Sequence, residues 1–296
     1  MEMMKKLVLV GTAAALAGST QAAAVAAAPD VWQPPVGEAW QIVIRAPLDM
    51  SRKLEPDVAI WDIDLFDNPA STIKQLHDGG SKVICYFSAG SFEKWRPDNT
   101  SFPEEDIGNP LEDWEKEWYV NVRSQAIRDV MVNRIQLAKD KGCDAIDPDN
   151  VDLYDADNGF EIKPEEAAEY LNFLAKAASD RGMSTGLKNA PGIVSSVIDN
   201  THFVVNEECA NPDNANCADY KPYIAADKPV FQIQYPNGVP DIDPEIIRGN
   251  CSHQGSAEGS EKFSIVFKDD MLRGFVEYCD FSKYSTPVLE DTPKGN

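Results

Sequence analysis

The sequence predicts an α/β fold, a single-domain (β/α)₈ TIM barrel, from three observations. Short apolar runs, rich in β-branched and aromatic residues, recur eight times, and each ends in polar residues. Segments with the apolar spacing of helices separate them, and such alternation is typical of a parallel sheet. The length of 296 residues suits eight strand–helix units in one domain.

The eight predicted strands share this apolar character and a polar end. They are WQIVIR (40–45), VAIWDIDLF (58–66), KVICYFSAG (82–90), DAIDPDN (144–150), STGLKN (184–189), FVVNEEC (203–209), PVFQIQY (229–235) and FSIVFKD (263–269).

Four segments between these runs are predicted helices, over 68–80, 120–142, 163–182 and 190–200. The third begins with Pro164 and two glutamates and ends at Gly182, which are start and stop signals for a helix. An open doubly wound sheet is the competing fold. That fold more often carries a glycine-rich phosphate loop after its first strand, and the sequence has neither GxGxxG nor GxxxxGK[ST]. The long loop over 91–118 is acidic and rich in tryptophan, and we expect it to form a cleft wall.

Both ends of the chain are predicted to lie outside the barrel. Residues 1–22 have the charged start, apolar middle and small-residue end of a signal peptide, which extends to 28 if the alanine run is included. We therefore expect a secreted protein, with an uncleaved anchor as the alternative. The barrel is assigned to 31–280 and a C-terminal tail to 281–296. No other segment is apolar enough to insert stably in a membrane.

Six cysteines fit export to an oxidising compartment. Fifteen pairings are possible from sequence alone. The favoured bridges are Cys209–Cys217 and Cys251–Cys279, whereas Cys85 and Cys143 form either a third bridge or two buried thiols.

The formal charge of −22 argues against nucleic acid and anionic membranes as partners and favours cationic ligands. The alternative interpretation is an acidic surface that keeps a secreted protein soluble. We expect a monomer.

Polar side chains collect at the predicted carboxyl ends of the strands, where TIM barrels place their active sites. Alternation along a strand puts Asp62 and Asp64 on one face, and likewise Asp147 and Asp149. The other strand ends contribute Tyr86, Asn150, Lys188, Glu207 and Gln234. Each aspartate taken alone can also be a helix cap or a lysine partner, but their convergence indicates a functional pocket.

The residue types present favour carboxylate chemistry. The three histidines lack the spacing of metal ligands, no GxSxG motif is present, and the cysteines are expected in disulfides, so neither a metal nor a cofactor is predicted. Two carboxylates on either side of a sugar can hydrolyse a glycosidic bond. Trp95, in the long polar loop, is the best candidate for stacking on a sugar ring.

The motifs AIWDIDLFD, VICYFSAGSFEKW, GCDAIDPDNVDLY, GLKNA and VVNEEC, in this order across residues 31–280, resemble glycoside hydrolase family 114. The resemblance implies a TIM-barrel endo-α-1,4-polygalactosaminidase that cuts a cationic, galactosamine-rich polysaccharide.

The resemblance also implies site residues. Asp149 and Glu207 match the family's catalytic pair, and we expect Glu207 as the acid/base and Asp149 as the nucleophile or stabiliser, with the reverse assignment and the stereochemistry left open. Many relatives have a glutamate where this chain has Asp147, so a subsite contact is expected to differ. The implied substrate contacts are Asp62, Asp64, Tyr86, Asp147, Asn150, Lys188 and Gln234.

Two other functions remain open at this point. The first is a non-catalytic carbohydrate-binding protein on the same barrel, because a fold does not guarantee activity. The second is a Ca²⁺- or Mg²⁺-dependent hydrolase built on the aspartate cluster.

Overall fold

A computed structural model describes residues 31–290 of the protein, so the predicted signal peptide lies outside the described residues. In chain order the strands are β1 (Trp40–Val43), β2 (Ile60–Asp64), β3 (Lys82–Ser88), β4 (Ser91–Glu93), β5 (Ile107–Pro110), β6 (Glu117–Val120), β7 (Ala145–Asp149), β8 (Ser184–Lys188), β9 (Phe203–Glu207), β10 (Val230–Gln234), β11 (Ser264–Phe267), β12 (Phe275–Glu277) and β13 (Lys283–Ser285). The α-helices are α1 (Ala70–Asp78), α2 (Gln125–Lys141), α3 (Pro164–Ser179), α4 (Val194–Val197), α5 (Lys221–Ala225) and α6 (Pro244–Asn250).

Eight parallel strands curl into the barrel, which confirms the predicted fold. Their order is β1-β2-β3-β7-β8-β9-β10-β11, and the antiparallel strands β12 and β13 continue the sheet. In the described part of the chain, no strand ladder joins β11 to β1. The seam is instead held by hydrogen bonds: the Trp40 indole N–H donates to the Ser264 carbonyl (2.9 Å), and the Tyr278 hydroxyl donates to the Trp40 carbonyl (2.8 Å).

Aromatic side chains fill the lower part of the barrel interior. The rings of Trp40 and Phe231 lie 4.9 Å apart, and those of Phe203 and Phe231 lie 5.8 Å apart. Gly186 makes room for them, since a Cβ at this position would stand 2.5 Å from the Phe203 ring. The large rings pack at the bottom, so the upper interior is left to the polar residues that follow along the same strands.

The predicted helices are confirmed, although the segment over 190–200 contains only the four α-helical residues of α4. The longer helices α2 and α3 pack apolar faces against the outside of the sheet. Gly142, with φ of 94°, ends α2, and the Glu166 carboxylate accepts the Lys163 N–H at the start of α3 (2.9 Å). Strand β13 lies within the segment assigned to a C-terminal tail, and its residues pair with β12.

The long loop after β3 folds into a small antiparallel sheet in the order β4-β6-β5. Its anchor is a buried ion-pair network. The Arg96 guanidinium donates to both carboxylate oxygens of Asp64 (3.0 and 2.8 Å) and to Glu93 (2.8 Å), and Arg134 donates to Asp98 (2.8 Å). The insertion is therefore tied to the end of β2 and stands over the barrel mouth.

Three disulfides join Cys85 to Cys143, Cys209 to Cys217 and Cys251 to Cys279. The two favoured pairings are confirmed, and Cys85 and Cys143 form the third bridge. Within residues 31–290, no helix has the length and apolar character needed to cross a bilayer.

Candidate active site

A cleft lies at the carboxyl ends of the parallel strands, under the inserted sheet, with about 840 Å³ of empty space that includes open solvent at its mouth; it is called the cavity below. Both the barrel strands and the loops above them supply its walls. The lining residues from the strand ends are Tyr86, Asp149, Asn150, Lys188, Asn189, Glu207 and Tyr235, and those from the loops include Glu93, Trp95, Arg96, Trp114, Glu117, Asp152, Asp270 and Met271.

Asp149 is held rigidly at the end of β7. Its Oδ2 accepts a hydrogen bond from the Tyr86 hydroxyl (2.8 Å), and its backbone carbonyl accepts the N–H groups of Ala89 (2.8 Å) and Gly90 (3.1 Å). Gly90 is required for this close approach, since a Cβ there would lie 1.6 Å from the Asn150 carbonyl oxygen. Asn150 itself has φ of 58°, a left-handed conformation that turns the chain away directly after the carboxylate.

Glu207 is fixed by an equivalent set of partners at the end of β9. The Asn189 amide donates to Oε2 (2.9 Å), and the Tyr235 hydroxyl donates to Oε1 (2.5 Å). The Asn189 Oδ1 also accepts the Glu207 backbone N–H (2.8 Å). Asn189 and Glu208 have φ of 51° and 58°, so β8 and β9 end in left-handed residues as β7 does. Such backbone conformations are costly and cluster at functional sites.

Lys188 joins the two carboxylates. Its Nζ lies 3.2 Å from Asp149 Oδ1 and 3.5 Å from Glu207 Oε2, and 5.4 Å from the centre of the Tyr86 ring. The distance between these two oxygens therefore cannot exceed the sum of the two Lys188 contacts. The Lys188 side chain is 2% exposed, whereas those of Asp149 and Glu207 are 18% and 26% exposed. The lysine is thus buried beneath a carboxylate pair that faces the cavity.

Asp62 and Asp147 lie below Lys188 and are fully buried. Neither lines the cavity. Burial, with repulsion from neighbouring carboxylates, raises the pKa of Asp62 well above its ordinary value and the pKa of Asp147 to about 7, against the opposing attraction of Lys188. Burial lowers the pKa of Lys188, but the four surrounding carboxylates outweigh it and raise the pKa well above its ordinary value.

Some of the remaining predicted substrate contacts lie at the cavity, and others lie away from it. Tyr86, Asn150 and Lys188 line the cavity. Asp64 does not, because its carboxylate is buried against Arg96. Gln234 also lies off the cavity, 4% exposed, because Tyr235 takes the inward position at the end of β10.

Several cavity residues lie outside the predicted catalytic pair and substrate contacts, namely Asn189, Tyr235, Arg96, Glu117 and Asp152. Asn189 directly follows Lys188, and Tyr235 directly follows Gln234. Their positions at these strand ends could therefore have identified both as cavity residues. Arg96 and Glu117 come from the inserted sheet, and nothing local in the sequence places that sheet over the barrel. Trp95 lines the cavity as expected, and so does Trp114.

The walls of the cavity carry acids that favour their protonated form. Burial and repulsion from Glu93 raise the pKa of Glu117 to about 8, and burial and repulsion from Asp149 raise the pKa of Asp152 to about 7. Ser91 donates a short hydrogen bond to Glu117. Over residues 31–290, no group of three or more His, Cys, Asp or Glu side chains is arranged to hold a metal ion.

These pKa shifts predict that stability falls as pH rises. Asp147, Asp152 and Glu117 bind protons more tightly in the folded protein than in the unfolded chain, so between about pH 4 and pH 8 the folded state holds the extra protons. Unfolding then becomes easier at higher pH, and we expect Tm at pH 5 to exceed Tm at pH 8 by several degrees. Calorimetry at both pH values measures this, and Glu117→Gln should narrow the difference. An equal or higher Tm at pH 8 would contradict the prediction.

Comparison with known proteins finds similar sequences and structures. The family model described as glycoside-hydrolase family GH114 matches residues 21–283. The crystal structure of Ega3 from Aspergillus fumigatus in complex with galactosamine is 45% identical, covers 84% of this chain and 97% of its own, and superposes with a TM-score of 0.78. The glycoside hydrolase domain of PelA from Pseudomonas aeruginosa, 12% identical with a TM-score of 0.61, covers 85% of this chain and 99% of its own and shares the fold. No curated protein sequence matches.

The barrel, its acidic cavity and these matches define the protein as a glycoside hydrolase. Because the family model spans most of the chain and the Ega3 similarity is high over the same region, the chain belongs to glycoside-hydrolase family GH114.

Proposed function

We propose that the protein is a secreted, monomeric, endo-acting hydrolase of α-1,4-galactosamine linkages in a cationic galactosamine-rich polysaccharide. The observation that carries the proposal is the pair Asp149 and Glu207, held on either side of Lys188 and open to the cavity. The 45% identical relative was crystallised with galactosamine, which supports the choice of sugar. Three disulfides are in keeping with secretion.

The contacts of Lys188 favour a retaining mechanism. Carboxyl groups about 5–5.5 Å apart act by double displacement, whereas inverting enzymes separate them by about 6.5–9.5 Å to admit water. The shared ammonium holds Asp149 Oδ1 and Glu207 Oε2 within the sum of its 3.2 and 3.5 Å contacts, which supports the shorter of the two separations.

In the first step, Asp149 attacks the anomeric carbon while Glu207 gives its proton to the departing glycosidic oxygen. The carbon–oxygen bond of the glycoside breaks, and a glycosyl ester forms on Asp149. In the second step, Glu207 takes a proton from water, whose oxygen displaces Asp149 and restores the starting configuration. The hydrogen bond from Tyr86 stabilises the anionic Asp149 that must attack.

The cavity walls explain selectivity for an amino sugar. Glu117, Asp152 and Asp270 line the cavity, and none of them forms an ion pair with another described residue. A protonated amine of the substrate would lower the raised pKa values of Glu117 and Asp152 and bind their ionised carboxylates through charge-assisted hydrogen bonds. N-acetylation removes that charge, so these acids are expected to favour the deacetylated polymer.

Product analysis tests the proposed function. The mature protein is incubated with fully deacetylated and with N-acetylated α-1,4-galactosamine polymer, and products are followed by size and by NMR of the new reducing end. We expect short oligomers from early times, a preference for the deacetylated polymer of at least about tenfold in kcat/KM, and an initial α-anomer.

The exposed Glu258→Gln variant, altered outside the cavity, serves as the control and should match the wild type. Release of monomer alone would contradict endo action, and an initial β-anomer would contradict retention. Binding without any shortening of the polymer would favour a non-catalytic carbohydrate-binding protein.

A further inference from the structure

Two carboxyl groups lie beneath the cavity without a hydrogen-bond donor. Asp62 on β2 and Asp147 on β7 point into the barrel and are 0% exposed. Each is near enough to raise or lower the pKa of the other. No N–H or O–H group of residues 31–290 donates to any of their four oxygens. Two neighbouring ionised carboxylates are strongly disfavoured in a buried site of this kind, because they repel each other and neither has a hydrogen to donate. A proton held between them would relieve both problems.

Lys188 lies between this buried pair and the pair that faces the cavity. It contacts Asp149 and Glu207 directly, and the charges of Asp62 and Asp147 act on it from below. The charged groups that act on these two buried acids, apart from each other, are Asp149, Glu207 and Lys188. Lys188 is the one cation among them.

We propose that Asp62 and Asp147 share one proton and act, as a pair with a single negative charge, to position the ammonium of Lys188 between Asp149 and Glu207. Neither residue touches the cavity, so they are positioning residues and not catalytic ones. The proposal rests on the proposed function for its catalytic consequence, but its account of the proton concerns the ligand-free protein.

The arrangement has a role during the first step of the reaction. Negative charge leaves Asp149 as the ester forms and appears on Glu207 as its proton departs. Lys188 already contacts both carboxylates, so its ammonium can follow the charge with little movement. The singly charged pair beneath it does not change protonation, which leaves the total charge of the cluster constant through the step. Preorganised charge of this kind lowers the cost of reorganisation.

Asparagine variants test the shared proton because an amide imitates a protonated carboxyl group. In Asp62→Asn or Asp147→Asn, the amide donates to the remaining carboxylate, so one negative charge and the hydrogen bond persist. In the double variant the charge is gone. We expect each single variant to lose no more than about fivefold in kcat at neutral pH, and the double variant to lose at least about 100-fold with KM within about threefold.

Thermal unfolding separates positioning from a structural role. The double variant removes a buried charge and keeps the side-chain volumes, so it should unfold no earlier than the wild type despite its loss of kcat. The proposal would be overturned if the double variant kept wild-type kcat, or if either single variant lost as much as the double. A parallel fall in kcat and Tm would assign the pair a structural role instead.

Infrared difference spectroscopy of the ligand-free protein provides a test that needs no substrate. Subtracting the spectrum of the double variant from that of the wild type at neutral pH should leave the carbonyl band of one protonated carboxyl group and the bands of one carboxylate. Two carboxylates, or two protonated groups, would overturn the shared proton. Because this result is independent of turnover, it stands apart from a failure of the proposed glycosidase activity.

Discussion

Replacing Glu207 by glutamine, or Asp149 by asparagine, is expected to lower kcat on deacetylated polymer by at least about 10³-fold. Each variant keeps the size and most hydrogen bonds of the side chain it replaces, so polymer binding should survive. Tyr235 and Asn189 still hold position 207, and Tyr86 still holds position 149. Rates of polymer shortening and a binding isotherm for each variant measure the two effects separately. Wild-type rates in either variant would remove that residue from the catalytic pair.

Alanine variants with added azide assign the two roles. In Asp149→Ala, azide can enter from the face that the carboxylate occupied and should give a β-glycosyl azide from an activated aryl oligogalactosaminide. In Glu207→Ala, azide should attack the ester on Asp149 and give the α-product. The configuration at the anomeric carbon of the α-linked substrate is inverted once in Asp149→Ala and twice in Glu207→Ala, which gives these two products. The opposite anomers would exchange the roles of the two residues.

The sequence was informative about the barrel because its signals are local. Alternation along DAIDPDN and WDIDLF places Asp147, Asp149 and Asp62 inside the barrel, and the eight apolar runs became its eight parallel strands. Lys188 and Glu207 were likewise recognised as residues at strand ends. The alternation of side chains along a strand therefore predicts which residues point inward, and their position along the strand predicts which of them reach the cavity.

Long-range pairing set the limit of what the sequence could predict. Asp64 lies on the inward face of β2 at the level of the cavity. Its carboxylate is instead bound by Arg96, which lies 32 residues later in the chain. We expected Gln234 to point into the barrel, but the inward position at the end of β10 belongs to the next residue, Tyr235. The inserted sheet that brings Arg96 and Glu117 to the cavity has short irregular strands, so its pattern in sequence is weak.

Replacing Lys188 by methionine is expected to destabilise the folded protein by about 3–5 kcal/mol at pH 7, because it leaves buried carboxylates without their cation. The sign of the pH dependence follows from the charges. The pKa of Lys188 is raised, so its stabilisation is present below its ordinary pKa and is lost only at high pH. Without it, Asp62 and Asp147 would hold their protons to higher pH, and the destabilisation should shrink as pH falls toward 4. Urea unfolding at pH 5 and pH 8 measures both effects, and kcat should fall with the loss of the shared ammonium.

Lys268 provides the matched control, because it is equally buried but forms no ion pair with a carboxylate of residues 31–290. Its Nζ donates to Gln41 Oε1 (2.8 Å) and the Arg273 carbonyl (2.8 Å), and burial lowers its pKa to about 7. Lys268→Met removes these two hydrogen bonds and should cost about 1–3 kcal/mol. Because the pKa of Lys268 is lowered in the folded protein, the wild-type lysine reduces the free energy of unfolding more and more as pH falls from its ordinary pKa toward 7. The destabilisation caused by Lys268→Met should therefore be smaller at the lower end of that range. If both methionine variants instead showed the same cost and the same pH dependence, the effect of Lys188 would come from lost packing, and the carboxylate cluster would not depend on its charge.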